Sequence, residues 1–470
     1  MDTNLSSRDI ITNLDQKVEV SINEILKIKN DTIDLSNAES LEKLECELQQ
    51  LTKELSDTIA GMKLQEQLDK PEAKEAEQDL VKGQPTRLKN MGPRVIKIRM
   101  LGGTMIPISA NYYHRKATLK KHKGRRGFYP TLLILGCPHR FSPGLESMMS
   151  LLATASSSFM EATQLIEAVA GFNVDVKTIS SIVKRFAQKA RTCLDLDKFE
   201  RPDDFSGRVV AASTDGGRVR IRKNKRGKKT KKGRSRYTTD WREPKLIIIY
   251  VIGEDGNKER SSLPIMDATL NGPDETFALL VFYLKKLKVD AADLLLFISD
   301  GANWIWERAK HLASTIGINA ERCLFALDYY HAVEHLSDLA SEKRWDKKQK
   351  DRWVNRQKKL LLNGDLEKFM EEINVVCKGS KNAKVQRERR YFKKHLPHME
   401  YAELKTKGLP IGSGAVESAI RRVVNLRLKG PGIFWHEDSA DAMLMLRSYY
   451  KAGRWNILKN MAYLGGLVME

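Results

Sequence analysis

The spacing of apolar residues changes several times along the chain. From Leu41 to Met62 they recur at steps of three and four residues (Leu41, Leu44, Leu48, Leu51, Leu55, Met62), with Thr58 at the intervening core position. This short heptad-like seam predicts a helix that either pairs with a second copy or folds back on itself as a hairpin. The polar stretch 70–89 reads as a linker. Over residues 95–107 the apolar positions alternate or cluster around Gly102 and Gly103, which predicts a strand pair with a tight turn. Helical spacing returns over residues 145–190. Phe159–Ala170 and residues 176–190 read as two helices separated by Gly171, Phe172 and Asn173, with Asp175 as N-cap of the second. The pair fits a helix-turn-helix whose second helix offers Lys177, Thr178, Ser181 and Lys184 to a major groove. A plain helix pair with a glycine turn has the same spacing.

From residue 208 the rhythm becomes that of strands. Residues 208–214 form a short apolar run ending at Asp215, residues 245–252 (KLIIIYVI) read as a buried strand, and residues 262–270 as a third. An amphipathic helix over 274–287 is followed by the apolar strand 293–299 ending at Asp300, then by Cys323–Leu327 ending at Asp328. Antiparallel-type strands followed by strands alternating with helices predict an α/β fold with a mixed sheet flanked by helices. Residues 332–407 are highly charged without a strand signal and read as a helical insertion. After them, residues 415–428 read as a helix with Val416, Ala419, Ile420 and Val423 on one stripe.

Charge changes this picture toward a polyanionic partner. Lysine plus arginine number 81 against 60 aspartates and glutamates in 470 residues, a net +21. Neutralising phosphates releases condensed counterions, so nucleic acid is the leading candidate, although a ribosomal or membrane-surface protein shares the balance. Two segments concentrate the excess. Residues 112–126 carry adjacent Tyr112 and Tyr113 among basic residues, and in the loop 218–236 twelve of nineteen residues are basic. The five cysteines are scattered without a CxxC pair, and Cys137 with His139 supplies too few ligands for structural zinc. No secretory signal is readable at the start, and no apolar stretch approaches the ~20 residues that span a bilayer. A reducing, cytoplasmic location is expected.

Candidate chemistry lies where strands end in acids. Asp215 precedes Gly216–Gly217, and Asp300 precedes Gly301. A glycine there lets the backbone turn away and leaves the carboxylate free at the sheet edge. One acid so placed is ordinarily a turn residue or cap, but the repeated strand–Asp–Gly arrangement points to a site. Carboxylate oxygens suit magnesium or manganese. Glu417, one turn into the helix after Gly412–Ser413–Gly414, is the candidate third acid. An ion pair with Arg421 is its alternative role. The basic residues Arg421, Arg422, Arg427 and Lys429 favour a helix that faces DNA.

At these residues the chain resembles a known family. STDGG (213–217), DWREPK (240–245), FISDGANW (297–304), LDYYH (327–331) and GLPIGSGAVESAIRRVVNLRLKGPGIFW (408–435) look like bacterial insertion-sequence transposases of the branch related to Mutator-like elements. These carry a ribonuclease H-like Asp-Asp-Glu domain, and the similarity covers roughly residues 143–447. It implies that Asp215, Asp300 and Glu417 bind two Mg2+ or Mn2+ ions and catalyse DNA cleavage and strand transfer. Asp328 and His331 match the family's Asp-x-x-His element, with an implied role in positioning DNA or a leaving group. Asp328 is also the rival to Asp300 as second metal ligand. The cysteine-rich zinc segment that relatives often carry ahead of the helix-turn-helix is absent here, with only Cys137 remaining. The loop 218–236 is longer than the strand connection in relatives, and its Arg222, Lys223, Lys225, Arg226, Lys228 and Lys229 are candidate phosphate ligands.

The domains expected on this basis are a helical, coiled-coil-like region with linker (1–90) and a small β-containing basic region (91–142). A helix-turn-helix (143–200) and a ribonuclease H-like catalytic domain (201–331 and 409–470) interrupted by a helical insertion (332–408) follow. The expected partners are double-stranded DNA, as terminal inverted repeats and target, and further copies of the chain in a homo-oligomer, with no membrane. A ribonuclease H-like nuclease or resolvase and a catalytically idle, transposase-derived DNA-binding protein are the competing readings.

Overall fold

The computed structural model describes residues 5–29, 37–84, 87–115, 127–198 and 203–465, apart from 226, 232 and 234. It is a mixed α/β protein that divides into two compact units, residues 1–198 with 458–470, and residues 199–457. Among the described residues no helix is long and apolar enough to cross a membrane.

The first unit opens with helices α1 (Ser7–Ile28) and α2 (Ala38–Leu68), which pack on each other as a hairpin. The leucine stripe of α2 is only half-buried. The face it buries most deeply is Asp57, Thr58, Gly61 and Gln65. The reason lies in the strands beneath, β1 (Leu88–Arg99) and β2 (Met105–Arg115), which pair antiparallel around Gly102–Gly103 as their pattern predicts. Asp57 accepts from the Gly102 and Thr104 amides at 3.0 Å each, and Gln65 from the Ser109 amide at 2.7 Å. At Gly61 a Cβ would stand 2.2 Å from Ile106, so α2 lies directly on the sheet. Ile10 and Leu14 of α1 complete this core with Ile96, Ile98, Ile106 and Ile108.

The stretch expected to be a linker instead contains helix α3 (Pro71–Lys82), started by proline at its first turn. Its buried Glu77 accepts from Asn111 and Thr131, a tie that a free linker would lack. Strand β3 (Gly127–Phe128) extends the small sheet, and α4 (Pro130–Ile134) and α5 (Pro143–Ala155) lead to α6 (Phe159–Ala170) and α7 (Val176–Asp195). Gly171 ends α6 in the left-handed region (φ 71°), and Asp175 caps α7 through the Lys177 and Thr178 amides. Cys137 is a buried thiol, pushed by burial up to about 12. Of the basic segment 112–126, residues 116–126 lie outside the described residues.

The second unit is built on a five-stranded mixed sheet. Its strands are β4 (Val209–Gly216), β7 (Lys245–Val251), β8 (Ile265–Thr269), β9 (Leu294–Ser299) and β10 (Cys323–Leu327), in the order β10-β9-β4-β7-β8. β10, β9 and β4 run parallel, whereas β7 and β8 are antiparallel to their neighbours. The run 218–236 is not one loop. Its start forms β5 (Val219–Asn224), which pairs with β6 (Tyr237–Arg242) as a two-stranded ribbon. Helices α8 (Pro273–Lys286), α9 (Asn303–Ala309) and α10 (Leu312–Ile316) connect the later sheet strands. After β10 come α11 (Tyr329–Ser341), α12 (Lys347–Asn363), α13 (Leu366–Cys377), α14 (Ala383–His395) and α15 (Tyr401–Thr406), an all-helical stretch as its composition predicts.

The helix expected over 415–428 is not regular. α16 (Gly414–Ile420) passes into a π-helical turn at Arg421–Asn425 and then α17 (Leu426–Leu428). α16 lies across β4 and β7, and α18 (Glu437–Lys451) packs on β8. The last helix, α19 (Trp455–Gly465), runs from the end of this unit into residues of the first.

Candidate active site at the ends of three parallel strands

Strand register brings the acids together. β4 pairs with β9 from Val209↔Leu294 to Ala212↔Phe297, and β9 with β10 up to Ser299↔Leu327. Carrying each offset forward sets Asp215, Asp300 and Asp328 level, on three neighbouring strands running the same way. Asp215 lies within β4 rather than beyond it, and Asp300 and Asp328 directly follow β9 and β10.

The three carboxylates differ in what already satisfies them. Asp328 is fully buried and caps α11: one oxygen accepts from the Tyr330 and His331 amides at 2.6 and 3.0 Å. Its other oxygen accepts from the Ser413 amide at 2.6 Å and from the Ser413 hydroxyl. Four donors therefore hold Asp328, which clamps the start of α11 to the segment leading into α16. Asp215 and Asp300 are only half-buried, and each accepts from one nearby amide, Gly216 at 2.6 Å and Ala302 at 3.1 Å. Among the described residues each keeps one oxygen without a hydrogen bond.

Glu417, on the first turn of α16, is exposed. Its Oε1 lies 3.8 Å from His331 Nε2, and among the described residues it makes no ion pair with Arg421. Asp328, His331 and Glu417 have ligand atoms within 4.8 Å of one another. Proximity alone does not make this trio a metal site, because the Asp328 oxygens are already taken by four hydrogen bonds.

Electrostatics separates the acids in the same way. Burial and the neighbouring Asp300 charge push Asp215 up to about 6, with a smaller push from Glu417, while the Gly216 amide and His331 pull it back. Asp300 is also raised, mainly by burial, with Asp328 and Glu243 adding to the rise and the Ala302 amide and His331 opposing it. Two half-buried carboxylates side by side repel, and a cation between them relieves that cost. The donors are all oxygen, as magnesium or manganese requires.

The glycines after the acids serve a purpose other than the one expected. None of Gly216, Gly217 and Gly301 has a positive φ. They supply room. A Cβ on Gly301 would stand 2.2 Å from the Tyr391 ring, which α14 lays over the turn after Asp300. A Cβ on Gly216 would stand 2.1 Å from Glu243 Oε1. Trp306 fixes the same turn by donating its indole N–H to the Asp300 carbonyl at 2.6 Å. Tyr391, Glu243 and Ser413 were not singled out from sequence, because each reaches the site only through tertiary packing. For Glu243 a signal existed in the charged–aromatic string DWREPK.

The expected DNA-facing residues fall into distinct groups. Lys177 is exposed and Ser181 and Lys184 are half-exposed, but the Thr178 hydroxyl is committed to Asp175 at 2.7 Å. Lys223, Lys225, Lys228 and Lys229 stand exposed on the ribbon and its connecting loop, and the half-exposed Arg222 guanidinium lies 4.3 Å over the Tyr237 ring. Arg226 lies outside the described residues. Arg421 and Lys429 are exposed and Arg422 is half-exposed. Arg427 does not face outward: it is buried with its guanidinium 4.9 Å over the Trp435 ring, because at helical spacing it continues the buried stripe of Val416, Ile420 and Val423.

No protein-family model matches the chain, and no curated protein matches it at a significant level.

Two outcomes follow from the unequal carboxylates. Asp328→Ala leaves four donors unsatisfied, the two on Ser413 buried, and should cost more than about 3 kcal/mol in denaturant unfolding, whereas Asp300→Asn should retain near wild-type stability. Asp215, with its value raised, contributes stability in full below 3.8 that is lost as pH rises through about 6. Asp215→Asn should therefore raise the melting temperature of the metal-free protein at pH 8 and leave it unchanged near pH 3.5. Equal shifts at both pH values would contradict this.

Proposed function

We propose that the protein is a DNA transposase of the branch related to Mutator-like elements, which cuts and joins phosphodiester bonds at a divalent-metal centre formed by Asp215, Asp300 and Glu417. The observation that carries the reading is the level placement of Asp215 and Asp300, each with a free oxygen, at the ends of adjoining parallel strands. Glu417 stands on the helix laid across the same sheet. The strand order β10-β9-β4-β7-β8, with three antiparallel strands first in sequence, supports a ribonuclease H-like core. The position of the helical stretch between β10 and α16 supports the family's helical insertion.

Bound magnesium or manganese would supply Lewis acidity to activate a water or a DNA 3′-hydroxyl and to stabilise the leaving oxygen. The chain's own residues provide the rest. Asp215 and Asp300 stand level on adjoining strands, each holding one amide, and Glu417 is carried on α16, which lies across β4 and β7. Asp328 holds α11 and the Ser413 turn together, so His331 and Glu417 keep their spacing. That assigns Asp300, not Asp328, as the second ligand. The exposed lysines of the β5–β6 ribbon neutralise phosphates independently of sequence, and α7, as the second helix of a helix-turn-helix, offers Lys177 and Ser181 for readout of the element ends.

Asp215→Asn, Asp300→Asn and Glu417→Gln should each abolish Mg2+-dependent cleavage of terminal-repeat DNA while leaving DNA affinity within about threefold of wild type. Gel assays of cleavage and joining check this. Cleavage without joining by the wild type would favour a nuclease or resolvase, and no cleavage by the wild type a DNA-binding protein. Replacing Lys225, Lys228 and Lys229 by glutamine should weaken binding to all sequences alike. It should also flatten the slope of log affinity against log salt by about 0.9 for each phosphate no longer neutralised. An unchanged slope would make the ribbon a solvated excursion.

A further inference from the structure

We propose that the exposed face of the β5–β6 ribbon is a stacking platform for unpaired DNA bases, with Trp241 and Tyr237 as its rings and Arg220 and Arg222 as the cations that brace them. This assignment rests on the DNA-processing function proposed above.

The position of the ribbon follows from its pairing. Gly216 stands opposite Lys245 in the β4–β7 pair, and Val219 opposite Arg242 in the β5–β6 pair. Gly217 and Arg218 on one chain and Glu243 and Pro244 on the other lie between these registers. The ribbon therefore carries the β4–β7 pair onward past the strand end that bears Asp215. The Gly217 amide donates to the Pro244 carbonyl at 2.8 Å across the junction. Trp435 ties the far edge of β5, donating its amide to the Arg220 carbonyl at 2.9 Å and accepting from the Arg222 amide at 2.7 Å. The ribbon is thus held at its base and along one edge.

Side chains alternate along each strand, and directly paired residues share a face. One face holds Val219 and Ile221, both buried. The other holds Arg220, Arg222 and Asn224 of β5 with Tyr237, Thr239 and Trp241 of β6. Trp241 is 52% exposed and Tyr237 41%, so both rings are open to a ligand. The Arg222 guanidinium lies 4.3 Å from the centre of the Tyr237 ring, and that of Arg220 5.6 Å from the Trp241 ring. Their polar contacts are to neutral groups: Arg220 donates to the Thr239 hydroxyl at 3.3 Å and Arg222 to the Asn224 side-chain oxygen at 3.2 Å. Among the described residues neither arginine pairs with a carboxylate. The one acid of the two strands, Asp240, belongs to the opposite face and pairs with Lys223 at 2.9 Å.

A ring face and a guanidinium plane are what a nucleobase stacks on. Within a duplex the faces of the bases are covered by their neighbours, so these rings meet bases only where strands are open, as they are at a cleaved end. Exposed tryptophan, tyrosine and arginine also mark protein interfaces. Charge decides between the two. Residues 218–236 contain no acid, the connecting loop adds exposed Lys225, Lys228, Lys229 and Lys231, and a chain of net +21 repels further copies of itself. Phosphates on the lysines and bases on the rings together fit a single strand.

The test is anisotropy titration of the full chain with two fluorescent probes, a dT strand of about 20 nucleotides and a duplex of the same length, over a range of salt. Wild type should bind both. Trp241→Ala and Tyr237→Ala should each weaken single-strand binding about tenfold, the loss of one stacked base, and leave duplex affinity within about twofold of wild type. Trp241→Phe keeps a ring and should stay within about threefold on the single strand. The slope of log affinity against log salt should be unchanged in all three, because stacking neutralises no phosphate. Both rings are exposed, and melting curves verify that the variants fold. Equal weakening on the two probes would place the face on duplex DNA, and unchanged single-strand affinity would leave it to a protein partner. Either result, or wild type that binds the duplex alone, overturns the stacking platform while Mg2+-dependent cleavage by the wild type upholds the transposase. Wild type that binds neither probe would overturn both.

Discussion

Parallel pairing of β4, β9 and β10 in one register is the constraint on which the site depends. Side chains alternate faces along a strand, so a slip of one residue in either pair would turn an acid to the opposite side of the sheet. The register is fixed from both faces of the sheet. Ala211, Ala212, Leu295, Leu296, Phe297, Ile298 and Leu327 are fully buried, and any shift would exchange these apolar positions for the polar ends of the strands. The Ser299 hydroxyl, donating to the Thr214 carbonyl, ties the last residue of β9 to the residue before Asp215. Burial of apolar surface thus sets the spacing of polar groups that make no apolar contact themselves.

Once level, the acids are distinguished by hydrogen bonding rather than by position. Four donors make Asp328 a structural clamp, and one donor each leaves Asp215 and Asp300 short of partners and raised in pKa. Such unrelieved carboxylate pairs are costly to the fold and persist where a cation or proton offsets them. The helical stretch after β10 contributes directly to this arrangement. Tyr391 roofs the Asp300 turn, and its position fixes glycine at 301 more firmly than backbone conformation does.

Strand ends, the helical stretch and the two helices around Gly171 were legible in the sequence because apolar runs, charge density and capping residues are local signals. The glycines were legible as markers, but their reason was not: room for Tyr391 and Glu243 is a property of chain segments distant in sequence. Helix α3 carries no readable burial signal because its single buried anchor, Glu77, looks like any surface acid. The leucine stripe of α2 suggested a seam, whereas its buried ties to β1 and β2 come from Asp57, Gly61 and Gln65, which apolar periodicity does not register. Arg427 counts among basic residues by type, but its helical position falls on the stripe that Val416, Ile420 and Val423 bury.

A metal centre of this design requires the cation to sit between Asp215 and Asp300 rather than among Asp328, His331 and Glu417. Anomalous diffraction from crystals grown with Mn2+ distinguishes the two positions. The expected result is a peak within ligand distance of both Asp215 and Asp300, about 2.0–2.1 Å from an oxygen of each if manganese takes the spacing of magnesium. A peak coordinated by Asp328 and His331, with Asp215 and Asp300 left free, would contradict it.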